Sequence, residues 1–445
     1  MQEPIQEALA AFIANCDYSR IPEHFKADAK LRVLDWIGCA AAGAHYPQMQ
    51  IASKYLYAVG DTGGCTIVRN GAGHSTRNAV YLNGIAGHVC ELDDGHRTAI
   101  GHPGCVTIPV ALAVAEKANA TGADFLKAVI LGYDMFARVG RTVNPTHYRT
   151  WHTTGTAGTF AAAAAAASLL KLSPEQTNNA LGLAATSAGG LVESFGTHAK
   201  ATNIALACQN GLDAAELAGL GFTGAHSALL GKKGFVAATC TDPHIENLEN
   251  PSEETLVSDT AFFKVYSSCG HTNSPLDVTF AMKKKYGLKA EDIKHVTVKT
   301  YKISYDLTHE LKTATEDEAK FSLPYCIAIA LLYGSVSLNY FAESYRTSGA
   351  VLDLARRIEV LEDPEATARF PHRQAKVTVT LKDGTVLEDI TLDSCDKADA
   401  EQIEAKFAAA VPFYSSEKQA KIIELVKTID QQPDIRALAA LLAEE

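Results

Sequence analysis

Three carboxylates and three histidines crowd the run His88-Val89-Cys90-Glu91-Leu92-Asp93-Asp94-Gly95-His96-Arg97-Thr98-Ala99-Ile100-Gly101-His102-Pro103. No amphipathic periodicity accounts for them. Asp93-Asp94-Gly95 stops a helix, and Gly101 and Pro103 bracket an irregular loop. Loops on a rigid scaffold often carry catalytic groups. A carboxylate beside a histidine can fix its tautomer and raise its basicity, which is what general acid–base work needs. The same residues also suit a solvated acidic turn with a helix cap, or a metal site, although their spacing matches no familiar metal motif.

Further clusters follow. Trp151-His152-Thr153-Thr154-Gly155-Thr156 leads into an alanine-rich helix, whose free N–H groups and dipole would attract an anion beside His152. In Phe195-Gly196-Thr197-His198-Ala199-Lys200, Lys200 follows a Gly-Thr turn and precedes a long helix. A lysine placed near other cations loses basicity and can exchange a proton near neutral pH. Lys264-Val265-Tyr266-Ser267-Ser268-Cys269-Gly270-His271 gathers a cation, a phenol, a thiol and an imidazole at an expected domain junction, where ligand sites are common. Tyr325, in Lys320-Phe321-Ser322-Leu323-Pro324-Tyr325, opens a buried-looking helix and reads more readily as core. Each cluster also has a plain structural reading: a cap, a packed histidine or a solvated lysine.

These residues need elements to position them. Up to about residue 260, apolar residues recur at helical spacing between Gly, Pro, Ser and Thr punctuation. Helices are expected over Leu31–Gly43, Val106–Lys117, Ala123–Gly140 and Thr159–Leu172. The last contains the seven alanines Ala161–Ala167, a smooth face that allows close helix approach. From about residue 265 the texture changes. Ile293–Tyr301 alternates like a strand, and Lys376–Leu381 and Val386–Leu392 flank an Asp383-Gly384 turn as a hairpin. Pro324–Leu332 and Gly349–Arg357 look helical between them. Helical texture returns at Ala398. The expected fold is mainly α: a large helical domain from both chain ends, 1–264 plus 398–445, with a smaller α+β domain, 265–397, inserted.

Composition bounds the function. The formal net charge of -11 argues against nucleic acid as a partner but not against a small anion, since a few cations focused in a cleft can outweigh a diffuse acidic exterior. The ten cysteines, Cys395 among them, include no Cys-x-x-Cys pair and suit reduced thiols of a cytoplasmic protein. The opening residues show no basic region or apolar run, so no secretory signal is expected. No uncharged apolar stretch is long enough for a membrane span.

Together the motifs resemble the MmgE/PrpD family, which includes 2-methylcitrate dehydratase, cis-aconitate decarboxylase and iminodisuccinate epimerase. The resemblance spans nearly the whole chain. It rests on Asp35-Trp36-Ile37-Gly38-Cys39-Ala40, Asn83-Gly84-Ile85-Ala86-Gly87-His88, Asp93-Asp94 with His102-Pro103, His152-Thr153-Thr154-Gly155, Gly196-Thr197-His198-Ala199-Lys200, Gly221-Phe222-Thr223-Gly224, Lys264-Val265-Tyr266 and Phe321-Ser322-Leu323-Pro324-Tyr325, in this order. It implies a helical domain with an inserted lid, an active site between domains, a homodimer and no organic cofactor. Family site positions match at Glu91, Gly95, His102, His152, Lys200, Lys264, Cys269 and Tyr325. Three depart from the decarboxylase-like pattern: Glu91 stands for Asp, Gly95 for Thr with one extra residue before His102, and Cys269 for His, with His271 two residues on.

The chemistry so implied is a carbanion or enediolate beside a carboxylate. His102 and His152 are expected as base and acid. Lys200 and Lys264 would hold carboxylates and the developing oxyanion. Glu91 or Asp93 would orient a histidine, and Tyr325 could donate a proton. Lys264, His271, Cys269, Arg97 and Gly95 form the expected substrate-binding set, with no metal. The expected function is a cofactor-independent lyase, dehydratase or decarboxylase, acting on a small di- or tricarboxylic acid. An epimerase of a dicarboxylate such as iminodisuccinate is the alternative, and a non-catalytic helical binding module is a third class that leaves the clusters unexplained. Gly71-Ala72-Gly73 is too short for a phosphate-binding loop. Activity is therefore expected to survive prolonged EDTA treatment and to need no nucleotide; loss that zinc or magnesium restores would make the carboxylate cluster a metal site instead.

Overall fold

The computed structural model describes residues 3–58, 60–257, 261–394 and 398–445; Cys395 lies outside them. Helix accounts for 60% and strand for 9%, so the fold is mainly α. Two compact units form. One comprises Met1–Val89, Asp93–Phe263 and Ala398–Glu445, the other Cys90–Leu92 and Lys264–Lys397. Among the described residues no helix is long and apolar enough to cross a membrane, and no disulfide forms.

The first unit is built from α1 (Glu3–Asn15), α2 (Glu23–Gly43), α3 (Pro47–Ala58), α4 (Thr76–His88), α5 (Gly104–Ala118), α6 (Gly122–Val143), α7 (Thr153–Leu169), α8 (Pro174–Ser187) and α9 (Ala199–Gly219). Two short antiparallel ribbons accompany them: β1 (Cys65–Ile67) with β2 (Gly71–His74), and β3 (Gly95–His96) with β4 (Ala261–Phe262). Every residue of α7 is buried. Its alanine run offers no bulky side chain, so α5, α6, α8 and α9 all pack directly on it. The closest approach is made by α9. A Cβ added at Gly211 would lie 2.4 Å from Ala162 Cβ and 2.6 Å from the Thr159 carbonyl oxygen. The C-terminal segment returns to this unit: helix Ala400–Ala410 packs on α2, where Lys406 Nζ meets the buried Asp35 Oδ1 at 2.5 Å.

Helix α7 begins at Thr153 rather than Thr159, because Thr153, Thr154 and Thr156 are buried against neighbouring helices and their low intrinsic propensity is overridden. Similarly α2 starts at Glu23, well before the apolar run that marked it; its first turns carry a mixed polar sequence.

In the second unit a four-stranded sheet runs in the order β6 (Ile358–Glu362), β5 (Ile293–Thr300), β7 (Ala375–Leu381), β8 (Val386–Thr391). β5 and β6 are parallel; the other pairs are antiparallel. Val296, Val298, Val377 and Val379 point to one face, where helices Asn273–Tyr286 and Leu323–Tyr333 bury them. The outer strand β8 alternates between exposed and half-buried residues, as an edge strand should.

Because α9 touches α7 backbone at Gly211, even one methyl group overpacks the interface. Gly211→Ala is expected to lower stability by about 1–3 kcal/mol in denaturant titration. Gly349→Ala, where nothing lies within 4 Å of the added Cβ, should stay within about 0.5 kcal/mol of the native protein.

Candidate active site

Helix α4 ends at His88, and the chain then passes through the acidic run to the start of α5 at Gly104. The intervening loop is tightly closed. The His96 N–H donates to the Gly101 carbonyl at 2.7 Å, the Ile100 N–H donates to the His96 carbonyl at 2.9 Å, and Asn144 Nδ2 donates to the Ala99 carbonyl at 2.6 Å. Ile100 is thereby held at a φ of 52°, a left-handed conformation that costs a β-branched residue about 1–3 kcal/mol. Such strain persists only where surrounding contacts impose it, and here it sits two residues from His102.

Three histidines converge in the helical unit. The ring of His88 lies 5.0 Å from that of His102 and 6.3 Å from that of His152, centroid to centroid. Asp93, buried beside the first two, accepts the His88 Nδ1–H at Oδ2, 2.8 Å away, and the same oxygen lies 3.5 Å from His102 Nδ1. His102 Nδ1 also lies 2.7 Å from the Asp94 carbonyl oxygen, and the His102 N–H donates to Thr154 Oγ1 at 3.2 Å. His102 is the most open of the three, its side chain 16% exposed against 1% for His88. His152 caps α7 from the N-terminal side and is buried. The edge of its ring meets Phe195 at 4.9 Å, and Lys200 Nζ stands 5.3 Å from the centroid of that phenylalanine. Lys200 is the second residue of α9 and is also buried. So Asp93 and His102 from the acidic loop, His152 before α7 and Lys200 on α9, three separate segments, share one neighbourhood.

The rest of the acidic run is structural. Asp94 accepts from the Gly104 N–H at 3.1 Å and the Tyr133 hydroxyl at 2.7 Å, and Arg32 Nη1 lies 3.5 Å away. Burial lifts its carboxyl to about 7, with Arg32 pulling the other way. Gly95 pairs with Phe262 across β3 and β4, and a Cβ there would lie 2.6 Å from the Phe262 ring. A packing demand therefore accounts for the glycine that stands where the related pattern has threonine. Arg97 sits half-buried in the closed loop. His96 is fully buried, and burial pushes its pKa down to about 3.

The remaining candidates belong to the second unit. Lys264 is fully buried, its ammonium donating to Glu91 Oε2 at 3.1 Å and to the Glu91 carbonyl at 3.2 Å. Glu91 thus pairs with a lysine, and Asp93 touches the imidazoles of His88 and His102. His271 Nδ1 meets the Tyr301 hydroxyl at 2.7 Å. The Cys269 N–H donates to the Lys320 carbonyl at 3.0 Å, and the Cys269 side chain is buried. The Tyr325 hydroxyl donates to the Tyr340 carbonyl at 2.5 Å, and burial raises its pKa, so the phenol is bound into the core.

One trio could ligate a metal: His88, Asp93 and Cys105 bring donor atoms within 4.8 Å of one another. Burial, reinforced by Asp93, drives the Cys105 thiol well above its usual range. Asp93 Oδ2 is engaged with His88, as above.

Comparison with known proteins identifies the family. The MmgE/PrpD N-terminal domain model matches residues 7–248 and the MmgE/PrpD C-terminal domain model matches 266–431. The chain belongs to the MmgE/PrpD family. Among its curated relatives, the cis-aconitate decarboxylase-like protein oryM of Aspergillus oryzae is 26% identical, covering 98% of this chain and 97% of the relative. The Homo sapiens cis-aconitate decarboxylase is 26% identical over 99% of this chain and 95% of its own length.

Within this MmgE/PrpD chain, His88 and Asn203 were not among the residues expected at the site. His88 lies inside the cluster that the sequence singles out, but its position at the end of α4 is what turns it onto Asp93. Asn203, 3.1 Å from His152 Nδ1, has no sequence signal at all.

His96 gives a pH test. Its folded pKa of about 3 lies below the ordinary 6.5, so the neutral form stabilises the fold fully above about 6.5 and that stability is lost as pH falls towards 3. His96→Asn, whose Oδ1 can replace Nδ1 as acceptor for the Ala99 N–H, should reduce the pH dependence of unfolding between pH 6 and 4 by about 1.4 kcal/mol per pH unit. An unchanged slope in urea titrations would show that His96 is not the buried neutral group.

Proposed function

We propose that this protein is a cofactor-independent lyase, a decarboxylase or dehydratase acting on a small di- or tricarboxylic acid. Its chemistry is the making or quenching of a carbanion beside a carboxylate. The observation that carries the reading is the meeting of His88 and His102 on Asp93, with the His152 ring 6.3 Å from that of His88 and Lys200 one aromatic ring beyond it. Such a reaction needs an imidazole to move a proton and fixed positive charge or N–H donors at the carboxylate oxygens. Both kinds of group are present in one neighbourhood of the helical unit. The curated relatives named cis-aconitate decarboxylase support the carboxylic-acid substrate class, and family membership supports the lyase chemistry.

Asp93 gives His102 a carboxylate partner, which strengthens it as a proton carrier. The burial of Lys200 and His152 strengthens their electrostatic action on an anion, since a low local dielectric amplifies it. A panel of di- and tricarboxylates, followed by the appearance or loss of ultraviolet absorbance from a conjugated double bond, would identify the substrate. On that substrate, His102→Ala, His152→Ala and Lys200→Ala should each lower turnover at least about 100-fold while the melting temperature stays near native. The double change His102→Ala with His152→Ala should cost far less than the product of the single effects, because groups that act as a unit are not additive. Near-normal turnover in any single variant would remove that residue from the site.

A further inference from the structure

We propose that the imidazoles of His102 and His152 have unlike jobs, fixed by their neighbours: His102 is the proton carrier, and His152 is a neutral hydrogen-bond donor oriented by Asn203. This rests on the carboxylate reading above and refines it, replacing a base-and-acid pair with one proton carrier and one electrophile.

The argument for His152 starts at a backbone carbonyl. The Leu191 carbonyl oxygen can only accept, and Ser194 Oγ lies 2.7 Å from it, so the serine spends its single proton there. Ser194 Oγ must then accept from its other neighbour, Asn203, 2.9 Å away. The asparagine atom in that position is therefore the NH2 nitrogen and not the amide oxygen. The same nitrogen stands 3.1 Å from His152 Nδ1 and has a second hydrogen to give. His152 Nδ1 accepts it, so the ring proton is on Nε2. Protonating His152 at Nδ1 would set N–H against N–H. Flipping the amide would set its oxygen against a serine oxygen whose proton is committed. The imidazolium is disfavoured either way.

His102 has the opposite surroundings. Its Nδ1 faces the Asp94 carbonyl oxygen at 2.7 Å and Asp93 Oδ2 at 3.5 Å, and both can only accept. Nδ1 therefore carries a proton, and the lone pair is on Nε2. When Nε2 takes a second proton, those two acceptors stabilise the cation. In the step so assigned, His102 Nε2 takes the proton from carbon and becomes the imidazolium. The C–H electron pair moves into the adjacent carboxylate as an enediolate. His152 Nε2–H and Lys200 donate hydrogen bonds to its oxygens, with no bond made or broken at His152. In a dehydration the hydroxide on the next carbon then leaves with the proton held by His102, as water, and the imidazole is neutral again; return of that proton to carbon instead gives only exchange. Asn203 is a positioning residue: it acts through His152.

Two measurements decide this. Ring-15N histidine labelling of the full-length protein, assigned with His102→Gln and His152→Gln, should show His102 protonated at Nδ1 and His152 protonated at Nε2 at neutral pH. Asn203→Asp, whose carboxylate only accepts, should move the His152 proton to Nδ1. The native spectrum needs no substrate and no folded variant beyond those used for assignment. If both imidazoles carry the proton at Nδ1, the proposal is overturned whatever the substrate proves to be. The second measurement is kinetic. Glutamine can donate a hydrogen bond but cannot carry a proton. His152→Gln should therefore recover at least about 10-fold of the turnover lost in His152→Ala, while His102→Gln should be as inactive as His102→Ala, a loss of at least about 100-fold. If His152→Gln is as inactive as His152→Ala, His152 moves a proton and the assignment fails. If the tautomers are as stated but no carboxylate is turned over, the functional reading fails and the tautomer assignment stands.

Discussion

Much of the helical unit depends on α7 being almost featureless. A helix with alanine at seven successive positions presents a smooth cylinder, and neighbours can come close enough for backbone to meet side-chain methyls. That closeness fixes the start of α7 relative to the start of α9, and therefore His152 relative to Lys200. It also leaves α5 and α6 little freedom, and the acidic loop is strung between α4 and α5. A site assembled from three distant segments needs such a frame, because an error of about 1 Å in placing a reacting group can cost about 100-fold in rate.

The acidic run then sorts its carboxylates by neighbour. Asp94 faces inward to Tyr133, Gly104 and Arg32 and anchors the loop to the helices. Asp93 faces the imidazoles. Glu91 answers Lys264 within the second unit. Three acids in four residues therefore do three different things, and the strained backbone at Glu91 and Ile100, both at positive φ, is part of how successive side chains are turned apart. Asp94 also serves the site indirectly: its main-chain oxygen receives His102 while its side chain is spent on the core.

How much of this could be read from sequence follows from which interactions are local. Helix identities and the hairpin of β7 and β8 were legible because hydrophobic period and Asp-Gly turn chemistry are local signals. Helix starts were less so: the threonines opening α7 look like a loop until burial overrides their propensity. The candidate site was legible as dense clusters of His, Lys and carboxylate, and the fold brings His102, His152, Lys200 and Asp93 from those clusters into one neighbourhood. Glu91 and Asp93 could not be told apart, since both stand near histidines in sequence and only the fold shows Asp93 on the imidazoles of His88 and His102 and Glu91 on Lys264. Gly95 read as a change in a binding position, whereas the ring of Phe262, far away in sequence, supplies a packing reason. Ser194 and Asn203 left no trace because their influence passes through hydrogen-bond direction, a property that residue type alone does not encode.

Direction of hydrogen bonding also bears on why one frame suits several related reactions. A dehydration, a decarboxylation and an epimerisation all pass through charge developing on a carboxylate, and differ in what leaves and where a proton returns. In the proposed division of labour, the donor-lined imidazole and the lysine meet the part that is common. The acceptor-lined imidazole meets the part that varies, because only it can change its protonation state at little cost. An epimerase that works from two faces of a carbon needs two proton carriers, and a histidine whose Nδ1 already receives an amide N–H makes a poor second one. Residues that shape the substrate can then change without disturbing Asp93, His102, Asn203 or His152, so specificity and proton handling are separable in this fold. The physical basis is simple: a backbone carbonyl cannot donate, and two such oxygens, those of Leu191 and Asp94, set the polarity of the whole pair.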